Sequence, residues 1–286
     1  MNISVVMCVR NVERYIGFCL ESLLDQTVKK FEIIIIDDMS TDKTGEIINN
    51  FNDNRIKYFR NQKWLGISKS RNLSVKYAKG DYLFFTDGDC TVSKNWIKEG
   101  LKYLINSNCL GVEGTIYYIS KNYKSTFVDR NMENRNGGCY MTGNIAYARY
   151  IFERVGGFDE RLTYLEDRDL ALKVMKFGKI MFNPKMIAYH PQIILTPKKL
   201  IHSAARAKNR VHLFKKFGER EFMFWRILFP KNFVRILFPP LIFLSLFQKR
   251  FKFSNDFKLI PYVYIFLIYE RLQLWSESAK ERIFLI

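Results

Sequence analysis

Three groups of acidic residues stand where chemistry can be done with them. Asp87-Gly88-Asp89 follows the apolar run Tyr82-Leu83-Phe84-Phe85-Thr86. Two carboxylates at i and i+2 on a tight turn can hold one hard divalent cation, Mg²⁺ or Mn²⁺, which takes oxygen ligands and leaves positions for substrate phosphates. Gly88 lets the backbone approach closely. An isolated D-x-D is common as a solvated turn, and the buried strand in front of this one favours the metal. Asp37-Asp38 follows four isoleucines at 33–36, and a carboxylate at a strand end can accept from a nucleobase imide or a ribose hydroxyl. Helix capping by an acidic loop is the plainer alternative, and it suits Asp42 better. Glu166-Asp167 opens the run Glu166-Asp167-Arg168-Asp169. At a helix N-terminus the dipole favours the ionised form, and such a carboxylate can act as general base on an acceptor hydroxyl within hydrogen-bond reach. Spacing alone reads this pair as N-terminal stabilisation of a helix. His190, after an apolar strand and before Pro191, can ligate metal or phosphate, although a lone His more often packs or lies on the surface. His202 and His212 stand ten apart on a basic stretch and make no metal site by spacing. The sequence has no P-loop, no G-x-G-x-x-G, no zinc-type Cys/His set and no nucleophile elbow.

These residues need elements to hold them. Residues 3–9 read as a buried strand, 12–26 as a helix by apolar spacing, and 31–36 as a second buried strand running into Asp37. A helix over 43–51 has Ser40 or Thr41 available as its cap. Further strands are expected at 56–59, 82–86, 111–119 and near 179–189, with helices over 67–78, 94–105 and 166–177. Strands alternating with helices predict an α/β fold, a mostly parallel nucleotide-binding sheet flanked by helices on both faces. In such sheets ligands bind at the carboxyl ends of the strands, where both Asp37-Asp38 and Asp87-Gly88-Asp89 fall.

Composition narrows the partners. The 286 residues are 48% hydrophobic and 26% charged, enough for one sizeable domain and an appendage, and they leave little room for extended disorder. The formal net charge of +18 calls for an anionic partner. From residue 196 onward there are 18 Lys and Arg against 6 Asp and Glu, a net +12, in the most aromatic part of the chain. This suits a membrane surface better than a nucleic-acid groove, and strand-end carboxylates repel a nucleic acid, so none is expected as partner. Residues 198–217 read as a basic helix. Apolar blocks at 236–247 and 259–269 are each shorter than the roughly 20 residues that span a bilayer. Pro239-Pro240 and Pro261 interrupt them, with Lys249, Arg250, Lys252 and Lys258 between. They predict two interfacial or re-entrant helices, with a helical lid on the main domain as the alternative. The expected division is a catalytic domain at 1–218 and a membrane-associating helical segment at 219–286. Five unpaired-looking cysteines (Cys8, Cys19, Cys90, Cys109 and Cys139) and an N-terminus without a basic leader fit a reducing cytosol.

Taken in order, five blocks resemble the family 2 glycosyltransferases, which have the A-type nucleotide-sugar fold. They are Ile3-Ser4-Val5-Val6-Met7 with Asn11; Glu32 through Asp42; Gly66 to Asn72 with Ser70-Arg71-Asn72; Gly80-Asp81-Tyr82 through Asp89; and Gly143-Asn144 with Gly156-Gly157-Phe158-Asp159-Glu160 and Glu166-Asp167-Arg168-Asp169-Leu170. The resemblance runs from residue 3 to about 218. It implies a nucleotide-diphosphate sugar as donor, with Asp38 at the base and Asp37 beside it. Arg71 would lie near the diphosphate, Asp87 at the ribose or the metal-bound diphosphate, and Asp89 on Mn²⁺ or Mg²⁺. His190 matches a position that in some members helps hold metal or diphosphate. Gly143 and Asn144 would border the donor sugar, and Asp167 would be the base with Glu166 beside it. The implied reaction is inverting transfer of a hexose or N-acetylhexosamine to a hydroxyl, with a lipid-linked saccharide of cell-surface glycan synthesis as the expected acceptor. The expected location is the cytoplasmic face of the cell membrane, peripheral or monotopic. A polyprenyl-phosphate glycosyl synthase and a non-catalytic binder of anionic lipid or nucleic acid are the alternatives. The chain departs from the family at Cys8-Val9-Arg10, where Pro and Tyr or Thr are frequent; at Met39, where Gly is usual; and at Cys90, where an acid is frequent.

Overall fold

The computed structural model describes residues 2–107, 109–119, 133–193, 196–218, 223–224, 227–228 and 257–282. Among them two compact units are found, one of residues 2–119 with 133–191, the other of 192–218 with 257–282. The apolar block at 236–247 and basic residues 249–252 lie outside the described residues.

The first unit is built on β1 (Ile3–Val9), β2 (Glu32–Asp37), β3 (Ile56–Arg60), β4 (Tyr82–Phe85), β5 (Thr91–Val92), β6 (Gly111–Ile119), β7 (Ile145–Ala148) and β8 (Ile180–Pro191). They form one sheet in the order β3-β2-β1-β4-β7-β6-β8-β5. The β3, β2, β1 and β4 strands run parallel, so the carboxyl ends of β1, β2 and β4 share one edge. Beyond β4 the sheet is mixed. β7 is antiparallel to β4 and β6, β8 is parallel to β6, and β5 is antiparallel to β8. Four of the seven pairings are parallel, and parallel neighbours need a crossover connection, usually a helix; β6 and β8 have helices at 149–154 and 166–175 between them in sequence.

Helices cover both faces. Alternate residues of each strand point to opposite sides, so Val5, Met7, Ile33, Ile35 and Phe84 pack under α1 (Ile16–Leu24) and α4 (Trp96–Asn106). Val6, Ile34, Leu83 and Phe85 pack under α3 (Ile67–Tyr77), α5 (Arg149–Arg154) and α6 (Glu166–Met175). Burial on both faces is why β1 and β2 read as unbroken apolar runs. The remaining helix of this unit, α2 (Thr44–Asn49), is closed at its start by Asp42. The Oδ1 atom of Asp42 accepts from the Thr44 amide at 3.0 Å and the Thr44 hydroxyl at 2.6 Å. Ser40 does not cap that helix. Its Oγ accepts from the Asn11 amide at 3.0 Å, and Asn11 Oδ1 accepts from the Thr41 amide at 2.7 Å, tying the loops after β1 and β2 together.

In the second unit the expected basic helix over 198–217 is two helices, α7 (Pro197–Ala204) and α8 (Lys208–Phe217), joined by a 3₁₀ turn. Thr196 caps α7 by accepting from the Lys199 amide, with Pro197 in the first turn. Gly218 ends α8 in the left-handed region at φ 64°. The block at 259–269 begins at the end of a 3₁₀ turn and runs into α9 (Ile260–Lys280), which packs on α7 and α8. Among the described residues no helix is long and apolar enough to cross a membrane.

Candidate active site

The strand-end edge of the first unit collects the chemistry. Thr86 follows β4, and its hydroxyl donates to the Gly143 carbonyl at 3.2 Å, which fixes the turn of Asp87-Gly88-Asp89 against residues 142–144. Gly88 is required by space, since a Cβ there would sit 2.6 Å from Val9 Cγ1. A Cβ on Gly143 would lie 3.4 Å from Asp87 Oδ2 and 3.5 Å from Cys90 Sγ, so this glycine forms a wall of the acidic turn. The antiparallel pairing of β5 with β8 does the rest. Thr91 lies opposite Tyr189, and that register delivers Asp89 and Cys90 to His190.

Asp87, Asp89, Cys90 and His190 present ligand atoms all within 4.8 Å of one another. His190 Nδ1 lies 2.6 Å from the Pro191 carbonyl oxygen, which can only accept, so Nδ1 carries the proton. That leaves Nε2 facing Asp89 Oδ2 at 3.6 Å, the tautomer a metal-binding imidazole needs. Burial raises the Asp89 carboxyl above its ordinary range, His190 opposes that rise and Asp87 adds to it. Two carboxylates and an imidazole suit Mn²⁺ or Mg²⁺. The Cys90 thiol is pushed well up, first by burial and then by Asp87 and Asp89, and as a protonated thiol it is a poor ligand for either.

Arg71 joins this cluster to the other half of the site. Its guanidinium is buried, donating from Nη2 to Asp87 Oδ1 at 2.8 Å and from Nη1 to Glu166 Oε1 at 2.6 Å. Burial works against its charge, but Asp87 and Glu166 more than offset it and raise its pKa. The neighbouring residues of α3 explain the placement. Ser68 Oγ donates to the Leu162 carbonyl at 2.6 Å, and Asn72 exchanges two bonds with the Phe158 backbone at 3.0 and 2.9 Å. Residues 157–162 are thereby held against α3, and α6 starts beside Arg71. Leu165, just before α6, has φ 64°, an uncommon left-handed conformation for a leucine. Asp167 in that first turn is partly exposed, and its Oδ1 accepts from the Arg168 amide at 2.8 Å. Burial, and then repulsion from Glu166, push its carboxyl up to about 7, within reach of a general base at neutral pH.

The other sequence candidates have partners within the protein. Asp37 is fully buried, accepting from the Ser40 amide and the Tyr58 hydroxyl, each at 2.7 Å. Asp38 uses both oxygens on the loop after β3, accepting from Asn61 Nδ2 at 2.9 Å and from the Leu65 and Gly66 amides at 2.8 Å. That loop carries the exposed Trp64, with the Arg10 guanidinium 5.8 Å from its ring. Asn144 is also engaged. It accepts from Trp96 Nε1 at 2.7 Å and donates to the Thr115 and Met186 carbonyls at 2.8 Å. One buried acid was not legible as a site-shaping residue in the sequence. Glu113, a charge inside an apolar strand, accepts from Asn134 Nδ2, the Gly138 amide and the Tyr140 amide, and so fixes residues 134–140.

The sheet collects carboxylates and an imidazole at its strand ends, where ligands of open α/β sheets bind. The family pattern named Glycosyl transferase family 2 matches residues 4–161. The chain is 32% identical over 174 residues to the Escherichia coli UDP-Glc:alpha-D-GlcNAc-diphosphoundecaprenol beta-1,3-glucosyltransferase WfaP, across 59% of this chain and 68% of that enzyme. The next two relatives are covered over only 56% and 33% of their length. Two solved structures share the fold. The mannosyltransferase PcManGT from Pyrobaculum calidifontis, in complex with GDP-Man and Mn²⁺, aligns over 96% of this chain and 87% of its own at TM-score 0.65 and 15% identity. Staphylococcus aureus TarS 1–349 with UDP-GlcNAc aligns over 99% and 93% at TM-score 0.60 and 17% identity. The chain belongs to glycosyl transferase family 2 and has its A-type fold.

Proposed function

We propose that this glycosyltransferase moves a sugar from a nucleotide diphosphate to a hydroxyl of a lipid-diphosphate-linked saccharide, by direct displacement with inversion. The observation that carries the reading is Arg71. A buried guanidinium bonded at once to Asp87 and Glu166 couples a diphosphate-binding turn to an acceptor-side carboxylate pair. Asp89, Asp87 and His190 would hold Mn²⁺ or Mg²⁺, which would supply positive charge for the departing diphosphate. Arg71 keeps Asp87 oriented, and its buried charge adds to the field that favours the leaving group. Gly143 leaves room for the donor sugar beside Asp87. Asp167 removes the acceptor hydroxyl proton, and Glu166, held by Arg71, keeps the Asp167 carboxyl basic enough to do so. A phosphate acceptor is already ionised and needs no base, so the raised Asp167 favours a hydroxyl. The lipid-linked acceptor is supported by the acceptor in WfaP's name and by the basic, aromatic C-terminal residues.

In this reading Asp38 acts on the donor base through the loop it anchors, and a membrane surface is the partner of residues 219–286 at the cytoplasmic face. The test is nucleoside diphosphate release from a panel of nucleotide sugars, with a lipid-diphosphate N-acetylglucosamine as acceptor, in Mn²⁺ or in EDTA. Release from one donor, abolished by EDTA and by Asp89→Ala, is the expected result. No release and no donor binding across the panel would overturn the reading.

A further inference from the structure

Helix α9 wears its polarity inside out. Its buried positions are Leu267, Glu270, Arg271, Leu274 and Ser278, so two charged residues face the neighbouring helices. Glu270 accepts from Arg210 of α8 at 2.7 Å. The outward positions are Tyr262, Ile265, Tyr269, Leu272 and Trp275, each between 37% and 50% exposed. They recur every three or four residues, which places them in one stripe along the helix. At 1.5 Å per residue the stripe runs about 20 Å. Five large apolar side chains aligned on one face form a contiguous patch, and a contiguous patch marks an interaction surface where scattered exposure does not.

Charge and residue type select the occupant. Exposed Lys258 precedes the stripe and exposed Lys280 and Arg282 follow it, and the two acids at that end, Glu277 and Glu281, are only partly exposed and pair with Lys280 and Lys215. The chain from residue 196 carries 18 basic against 6 acidic residues, so a second copy would bring the same charge towards this face. An anionic bilayer brings the opposite charge. Tyrosine and tryptophan also favour the boundary between head groups and acyl chains, with the ring in apolar surroundings and the polar tip in water.

We propose that the outward stripe of α9 is seated in the interface of an anionic phospholipid bilayer, with the helix axis parallel to the membrane and Lys258, Lys280 and Arg282 at the head groups. The proposal deepens the lipid-linked reading above and rests on it for its purpose, since docking there would bring the enzyme to an acceptor embedded in the same bilayer.

The experiment uses the full chain and co-sedimentation with vesicles of phosphatidylglycerol and phosphatidylcholine, or of phosphatidylcholine alone. The wild type is expected to partition onto the anionic vesicles more strongly than onto the neutral ones. The double variant Leu272→Gln/Trp275→Gln is expected to lose about ten-fold or more of that partition, given the apolar area withdrawn. A second pair, Tyr262→Ser/Ile265→Ser, probes the other end of the stripe, so a failure of one variant to fold does not decide the matter. Brominated lipid should quench wild-type tryptophan fluorescence more than that of Trp275→Phe. Equal partition of wild type and both folded variants would overturn the proposal. So would a dimer in solution that the variants convert to monomer. Donor turnover without lipid separates the two readings. Turnover with stripe-independent partition defeats the seat alone, whereas stripe-dependent partition without turnover on any donor defeats the proposed reaction and leaves the seat.

Discussion

Asp167 sits where function and stability pull in opposite directions. Its carboxyl is raised from an ordinary 3.8 to about 7, by burial first and by Glu166 second. The folded-state value lies above the unfolded one, so between about pH 4 and pH 7 the native protein holds a proton that the unfolded chain has released. Stability without ligands therefore falls as pH rises through that window, and at pH 8 an ionised Asp167 beside Glu166 weighs against folding. Asp167→Asn removes this charge and can still accept from the Arg168 amide. The variant is expected to melt at a higher temperature than wild type at pH 8 and to show no such gain at pH 4. Loss of the base should lower turnover by about 10² to 10⁴. In the wild type kcat/KM should fall about ten-fold per pH unit below pH 7, because only the ionised carboxylate accepts the proton. A melting temperature that Asp167→Asn leaves unchanged at both pH values would mean that the carboxyl is not raised.

The elements that hold these residues show what the sequence could and could not declare. Strands β1, β2 and β4 were legible because burial on both faces leaves apolar runs, and each run stops at a polar residue, Arg10, Asp37 and Thr86. The mixed half of the sheet was not legible. The local pattern of β7, Ile145-Ala146-Tyr147-Ala148, carries no mark of its antiparallel direction. The partners of Asp37, Asp38 and Asn144 within the protein were not legible, because Tyr58, Leu65 and Trp96 lie from 21 to 48 residues away in sequence. Met39 shows the converse. Its departure from glycine was visible, and the structure gives it φ 63°, a conformation that costs a residue with a Cβ about 1–2 kcal/mol. Glycine gives back roughly half of that through its freer unfolded chain. Met39→Gly should therefore stabilise the protein by about 0.5–1 kcal/mol in urea unfolding, with unchanged slope. A loss of stability would show that the Met39 side chain contributes more than its backbone strain removes.

At the scale of the whole chain, Asp87, Asp89, Cys90 and His190 belong to the first compact unit, as do Arg71 and Asp167. The second unit has its own packing, in which α9 lies on α7 and α8 and Arg210 bonds Glu270. A protein of two units need not unfold in one step. A ligand that binds only the native form of one unit raises the stability of that unit by RT ln(1 + [L]/Kd). Mn²⁺ with UDP or GDP at about one hundred times Kd should stabilise the first unit by about 2.7 kcal/mol and move its calorimetric transition upward. The transition of the second unit should stay where it is. Asp89→Ala should remove the shift in Mn²⁺ while leaving the ligand-free transition close to wild type or slightly higher, because burial disfavours the Asp89 charge when nothing is bound. Two transitions that rise together would mean that the units unfold as one. A shift that survives in Asp89→Ala would mean that Asp89 is not needed to hold the nucleotide, and the buried Arg71 guanidinium would then be the place to look for its diphosphate.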